Sequence, residues 1–254
     1  MELKVISFNI RCCDDVDGNS IAERAPRLNE LISKYDPDIL GLQEYRPKWE
    51  EHFVKYFSEK YDIYSVPRTT KEGHPEAVPM LWRKDRFECL KKGCFWLSDT
   101  PEEESRGWDE KYNVNRICCY AVLKERLTGK TFTFMNTHFG FGDSCQTKSA
   151  RLIQKYADMI SSDAPTFCTG DFNMNSESLG YKEMVKRFTD VNAVTLKYDG
   201  VTFHGYAPEK YKGGPIDFCF INDGVTPRSC KIIDELVDGK YPSDHYGLYL
   251  ELDI

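Results

Sequence analysis

The sequence predicts a single α/β domain in which two β-sheets pack face to face, with helices on their outer sides: a two-layer β-sandwich flanked by helices, four layers in all. Three observations lead there. Short runs rich in Val, Ile, Phe and Thr recur from end to end, and many are apolar at consecutive positions, as strands covered on both faces are. A few stretches with apolar residues every three or four positions interrupt them. No linker or shift in composition divides the 254 residues, so residues 1–254 read as one domain.

In chain order, residues 3–8 read as a strand. Ile21, Ala25, Leu28, Leu31, Ile32 and Tyr35 then fall on one helical stripe, with Asn19 or Ser20 as its cap. Residues 38–43 are a second strand, and Trp49, Phe53, Phe57 and Lys60 mark a short helix after Pro47. A strand over 77–82 precedes the main irregular stretch, 98–115, which holds Pro101, Glu102, Glu103, Glu104, Gly107 and Trp108. Strands over 117–124 and 131–137 follow. Leu152, Ile153, Tyr156, Ala157 and Ile160 give a third helix, closed by the turn 161–165. A strand over 166–169, a helix around Met184, Val185 and Phe188, and strands over 216–221, 228–233 and 247–252 complete the chain.

Composition narrows the function. With 41% hydrophobic and 30% charged residues the chain is globular rather than disordered or fibrous. Its longest clean apolar run, 117–123, is too short to cross a bilayer, and no membrane role is expected. The opening Met1-Glu2-Leu3-Lys4 enters a strand without a signal-peptide core. Ten cysteines at irregular spacings form neither a disulfide framework nor a C-x-x-C zinc pattern, so a reducing, cytoplasmic setting is expected. The net charge is −7 and basic residues never run beyond two in a row, which weighs against a broad nucleic-acid footprint. No protein partner is evident.

Polar residues close the strongest strands: Asn9 after 5–8, Glu44 after 39–43, His138 after 132–137 and Asp171 after 167–170. Ligands bind at that edge of α/β sheets, which makes one shared crevice a candidate site. Plain turns also end strands in Asn or Asp, but Glu44 and His138 are not turn formers. Asp171 and Asn173, two apart, share a face while Phe172 turns to the core. A carboxylate beside an amide can hold a water or a metal and still donate to an oxyanion. In Ser243-Asp244-His245 the imidazole is a candidate general base. Strand neighbours point oppositely, so its orienting acid must come from elsewhere, and Asp217 is the candidate. His52 reads as solvated, His74 and His204 as surface loop residues, and the pairs Cys12-Cys13 and Cys118-Cys119 as small hydrophobes. In and beside the irregular stretch, Arg116 offers a phosphate-binding fork and Trp108 an indole face for a sugar or base ring, beside the alternative that Trp108 merely anchors the loop.

Taken in order, Ser7-Phe8-Asn9, Gln43-Glu44, Asn136-Thr137-His138, Gly170-Asp171-Phe172-Asn173, Ile216-Asp217 and Ser243-Asp244-His245 resemble the endonuclease/exonuclease/phosphatase superfamily. The match runs from residue 4 to residue 252. The resemblance implies a deoxyribonuclease-like α/β/β/α fold and a metal-dependent phosphoesterase site. It implies Glu44 as principal ligand of Mg²⁺ or Mn²⁺, with Asn9 and Asp244 close to the metal. Asp171 and Asn173 would orient water and phosphate, His245 would pair with Asp217, and His138, supported by Glu76, would donate to a phosphoryl oxygen. The segments Phe95-Trp96-Leu97-Ser98, Gly107-Trp108-Asp109 and Arg116-Ile117 look like a bacterial subgroup that includes a sugar-phosphate phosphatase.

The expected function is therefore hydrolysis of a phosphate ester on a small phosphorylated metabolite by activated water. The alternatives are a nuclease of the same mechanism, acting on DNA or RNA, and a non-catalytic binding protein on the same scaffold.

Overall fold

Alternation along a strand sorts its side chains onto two faces. In β1 (Glu2–Asn9), Leu3 and Val5 point into the space between two sheets, while Ile6 and Phe8 point out to a helix. The computed structural model, which describes residues 1–71, 75–161 and 164–254, is built on this pattern throughout. One six-stranded sheet runs in the order β11 (Thr226–Ile233), β12 (Gly247–Asp253), β1, β2 (Ile39–Gln43), β4 (Met80–Arg83) and β3 (Tyr61–Tyr64). The other runs β5 (Phe87–Trp96), β6 (Ile117–Glu125), β7 (Thr131–His138), β8 (Thr166–Asp171), β10 (Asp217–Ile221) and β9 (Thr189–Asp190). Helices α1 (Ile21–Tyr35) and α2 (Glu50–Phe57) cover the outer face of the first sheet; α3 (Asp143–Ser161) and α4 (Leu179–Met184) cover the second. A single turn, α5 (Val191–Val194), follows β9. The expected α/β/β/α layering is what forms. Among the described residues no helix is long and apolar enough to cross a membrane.

The parallel pairs place the site. β1 runs parallel to β2 and β7 parallel to β8, so their carboxyl ends lie together at one edge. There the inner faces stop being apolar. Past Val5 come Ser7 and Asn9, past Ile39 come Gly41 and Gln43, past Phe134 come Asn136 and His138, and past Phe167 come Thr169 and Asp171. Between core and edge lies a buried amide belt. Gln43 Nε2 donates to Asn136 Oδ1 at 2.8 Å, Thr169 Oγ1 donates to the same oxygen at 3.0 Å, and Asn136 Nδ2 donates to Leu42 O at 2.8 Å. Gly41 makes this contact possible, since a Cβ there would lie 2.3 Å from Thr169 Oγ1 and 2.7 Å from Asn136 Oδ1.

The structure departs from the sequence reading in several places. Strands β3, β5 and β9 are additional. β5 was hidden because Lys91-Lys92-Gly93 interrupts its alternation and a bulge lies between Cys89 and Lys91. The second helix ends at Phe57, before Lys60, and α3 begins at Asp143, well before Leu152. Of the turn 161–165, residues 162 and 163 lie outside the described residues, as does His74. His52 is not solvated, because it packs against Trp49 and stacks on Tyr56. His204 is not at the surface. It is fully buried between Tyr241 and Tyr246, with ring centroids 4.5 and 4.2 Å away.

Candidate active site and metal centre

Cross-strand register assembles the second sheet's half of the site. His138 on β7 pairs with Asp171 on β8, and Asp171 pairs with Asp217 on β10, which gives one row of three polar side chains on the inner face. Two carboxylates directly opposite each other repel. His245, from the loop before β12, relieves this: its Nδ1 lies 2.9 Å from Asp217 Oδ2 and its Nε2 3.8 Å from Asp171 Oδ2. Ser243 fixes that loop by donating from Oγ to Asn9 O at 2.6 Å. Thr202 Oγ1 accepts from the Ile216 and Asp217 amides at 3.0 and 3.2 Å and fixes the start of β10.

The first sheet contributes Asn9 and Glu44. Asn9 Nδ2 donates to Asp171 Oδ2 at 3.0 Å and to Glu44 Oε1 at 3.1 Å, tying the two sheets together. Glu44 Oε2 accepts from the Cys12 amide at 3.0 Å. The Arg11 guanidinium faces both Asp244, at 3.5 Å, and Glu44, at 4.0 Å. Arg11, Glu44, Asn173 and Tyr206 all hold positive φ, between 48° and 62°, although none is glycine. Such backbone strain persists where the surroundings over-determine it, typically at functional sites.

Electrostatics divides the roles. Burial raises the Asp171 carboxyl, and the neighbouring Asp217 charge raises it further, to about 7. Burial would lower His245, but the charges of Asp217 and Asp171 outweigh it and lift the imidazole to about 10. His245 therefore holds its proton at neutral pH. Burial also works against ionisation of Glu44, yet the charged His245 imidazole and the hydrogen bonds from Cys12 and Asn9 keep it well below the usual carboxylate range. Burial, reinforced by Arg116, pushes the His138 imidazole well down, so it is neutral. Asn173 Nδ2 lies 3.0 Å from His138 Nε2 and 3.0 Å from Phe139 O, and the same His138 nitrogen lies 3.4 Å from Asp171 Oδ2.

Asp171, Asp217 and His245 offer ligand atoms that all lie within 4.8 Å of one another, a grouping able to hold a metal ion. Among the described residues Asp217 Oδ1 is buried without a hydrogen-bond partner, and the donors are hard oxygens with one imidazole, which suits a divalent cation. Glu44 and Asp244 stand outside that grouping and face Arg11.

These groups open into a cavity of about 690 Å³, of the size that takes a small ligand. Arg11, Arg46, Arg68, Arg116 and Lys111 bring positive charge to it, and Tyr112, Phe141, Phe203, Tyr206 and Tyr211 bring rings. Arg116 donates from Nε to Asp109 Oδ2 at 3.0 Å, which aims its guanidinium. Two residues singled out from the sequence behave differently. Glu76 does not hydrogen-bond His138, because its carboxylate is taken by Arg68, at 2.9 and 3.1 Å, and Arg46, at 3.1 Å. Trp108 is not part of the cavity lining; its indole N–H donates to Asp99 and its ring lies under Lys148. The arginines 11, 46 and 68 were missed. Arg11 and Arg46 follow Asn9 and Glu44 by two positions, a faint signal, and Arg68 leaves none because long-range contacts, the Pro67–Ala77 bridge and the bonds from Trp96 and Asn115 to its carbonyl among them, bring it near.

A paired acid and imidazole, carboxylates able to hold a cation, and a cavity rich in arginine are the parts of a phosphoesterase, and the chain belongs to the Endonuclease/Exonuclease/phosphatase family, whose pattern it matches over residues 6–245. It is similar to the endonuclease/exonuclease/phosphatase from Bacteroides vulgatus, with 29% identity and a TM-score of 0.89 over 100% of this chain and 99% of that one. It is also similar to a mannosyl-6-phosphatase of Bacteroides thetaiotaomicron, with 26% identity and a TM-score of 0.87 over 99% of this chain and 100% of that one. Human tyrosyl-DNA phosphodiesterase 2 is 22% identical over 98% of this chain and 68% of its own length. Family and ligand grouping together support a divalent-metal-dependent phosphoesterase.

Proposed function

We propose that this chain is a Mg²⁺- or Mn²⁺-dependent phosphatase that hydrolyses a phosphate ester on a small metabolite such as a sugar phosphate. The observation that carries this is the cavity, whose lining brings together the carboxylates and imidazoles, the Arg116 guanidinium for a phosphate and tyrosine rings for a sugar. The similarity to a mannosyl-6-phosphatase points the same way.

Glu44 and Asp244, with Asn9 close by, are the residues that would hold the cation, and Asn9 Nδ2 links Glu44 to the Asp171, Asp217 and His245 grouping, which would supply the acid–base groups. A bound cation would supply positive charge that offsets the charge developing on the phosphate ester. Asp171 orients the attacking water and accepts its proton, fixed by Asn9 and by the Asn173 amide, which donates to Asp171 Oδ1 at 2.9 Å. His245, oriented by Asp217, keeps a proton beside the developing charge. His138 and Asn173, hydrogen-bonded together, position the phosphate. Arg116 binds the phosphorylated substrate.

A nuclease reading of the same chemistry is favoured by the likeness to tyrosyl-DNA phosphodiesterase 2 along the whole chain. A panel of hexose phosphates and of single- and double-stranded DNA and RNA, each with Mg²⁺ or Mn²⁺, tests the choice. Phosphate release from a sugar phosphate without strand cleavage is the expected result. Strand cleavage that weakens steeply with salt, as backbone-driven binding does, would replace the phosphatase with the nuclease.

A further inference from the structure

Arg24 on α1 is fully buried, yet among the described residues no carboxylate pairs with it. Its guanidinium donates to main-chain carbonyls instead. Nε reaches Asn19 O at 2.9 Å, Nη1 reaches Ile10 O at 2.9 Å, and Nη2 reaches Arg11 O at 3.1 Å and Cys13 O at 2.6 Å. The guanidinium lies 5.4 Å from the centroid of Trp49, whose Nε1 donates to Arg11 O at 3.1 Å. Burying a cation is costly unless its donors are satisfied, and here the turn after β1 satisfies them.

The opposite side of that turn builds the site. The Arg11 amide donates to Asn9 Oδ1 at 3.0 Å, the Cys12 amide donates to Glu44 Oε2 at 3.0 Å, and the Arg11 side chain reaches Asp244. Arg11 sits at φ 62°, a conformation that needs external support. We propose that Arg24 is the positioning residue of the cation site, holding the turn at 10–13 from behind so that its amides fix Asn9 and Glu44 in their ligating orientation. A lysine keeps the charge but cannot span four carbonyls with one ammonium.

The proposal rests on the cation reading and is separable from it. Arg24→Lys, Arg24→Met and Trp49→Phe are made in the full chain, and each is checked for cooperative melting. Hydrogen exchange of the segment 10–14 is followed without metal, and Mn²⁺ binding is titrated by calorimetry. Folded Arg24→Lys should lose protection over 10–14 and bind Mn²⁺ about 10–100-fold more weakly, as variants of ligand-orienting residues do, while kcat at saturating Mn²⁺ is nearly kept. Trp49→Phe, which removes the donor to Arg11 O and trims the ring facing the Arg24 guanidinium, should show the same changes in smaller measure. If Arg24→Met does not fold, the other two variants decide. Folded Arg24→Lys with wild-type Mn²⁺ affinity overturns the proposal, and so does unchanged protection over 10–14. Wild-type protein that binds no Mn²⁺ overturns the cation site itself.

Discussion

Asp171 and Asp217 stand directly opposite each other on the neighbouring antiparallel strands β8 and β10, and the His245 imidazole lies against both. Two buried carboxylates in that register are stable only with a positive charge between them, an imidazolium or a metal ion, or with a proton on one of them. The sandwich thus builds a place where charge must be held at the end of an otherwise apolar interlayer.

Because Asp217 acts through the imidazole, His245→Gln should lower kcat by about 10²–10⁴-fold, the range for a positioned acid–base group. Asp217→Asn should lower it in the same sense. The double variant should be little slower than His245→Gln alone, since residues acting as a unit are not additive. Steady-state kinetics of the three variants checks this, and multiplicative losses would separate the two residues' roles.

Arg116 and Trp108 should part company. Arg116→Lys keeps the charge facing Asp109 but loses the fork, and should raise KM for the phosphorylated substrate by roughly tenfold. Trp108→Ala should leave KM unchanged, because the indole is turned to Asp99 and Lys148 outside the cavity lining. Michaelis curves for both variants on one substrate decide it.

Gly41→Ala tests the close approach of the sheets. The added methyl meets Thr169 and Asn136 inside the amide belt, and overpacking of this kind costs about 1–3 kcal/mol. Denaturant unfolding should show that loss with an unchanged m-value.

A pH-dependent contribution to stability lies far from the site. Glu235 accepts from Lys34 at 2.8 Å, Tyr35 at 2.8 Å and Lys231 at 2.9 Å. Burial would raise its carboxyl, but these bonds outweigh it and hold the group at about 2, below the ordinary 4.5. A depressed acid stabilises the fold above its unfolded pKa and loses that contribution as pH falls through the folded value. Glu235→Gln should therefore cost up to about 1 kcal/mol at pH 7, given the exposed lysines, with the difference from wild type vanishing between about pH 4.5 and 2. Thermal melts across that range measure it.

Much of this was legible in the sequence, for identifiable reasons. The layers were, because strands covered on both faces and helices covered on one leave different periodicities. The edge residues Asn9, Glu44, His138 and Asp171 were, because parallel strands bring their carboxyl ends together. What stayed hidden depends on contacts between distant segments. Arg68 reaches the cavity through a bridge between Pro67 and Ala77, and Glu76 is claimed by Arg68 and Arg46 rather than by His138. Trp108 had the chemistry of a substrate platform and lacked the orientation. The burial of His204 had no local signature, since it is set by residues packed against it from other elements, whereas Arg24 falls at helical spacing on the stripe of Ile21, Ala25 and Leu28 and was passed over for its charge.

The central claim is that carboxylates at this sheet edge hold a divalent cation that phosphoester hydrolysis requires. Phosphate release by wild type and Glu44→Gln, measured with Mg²⁺, with Mn²⁺ and after EDTA, tests it most directly. The account predicts hydrolysis by wild type with either cation, none after EDTA, recovery on adding the cation back, and a folded but inactive Glu44→Gln. Undiminished hydrolysis in EDTA, or full activity in Glu44→Gln, would contradict it.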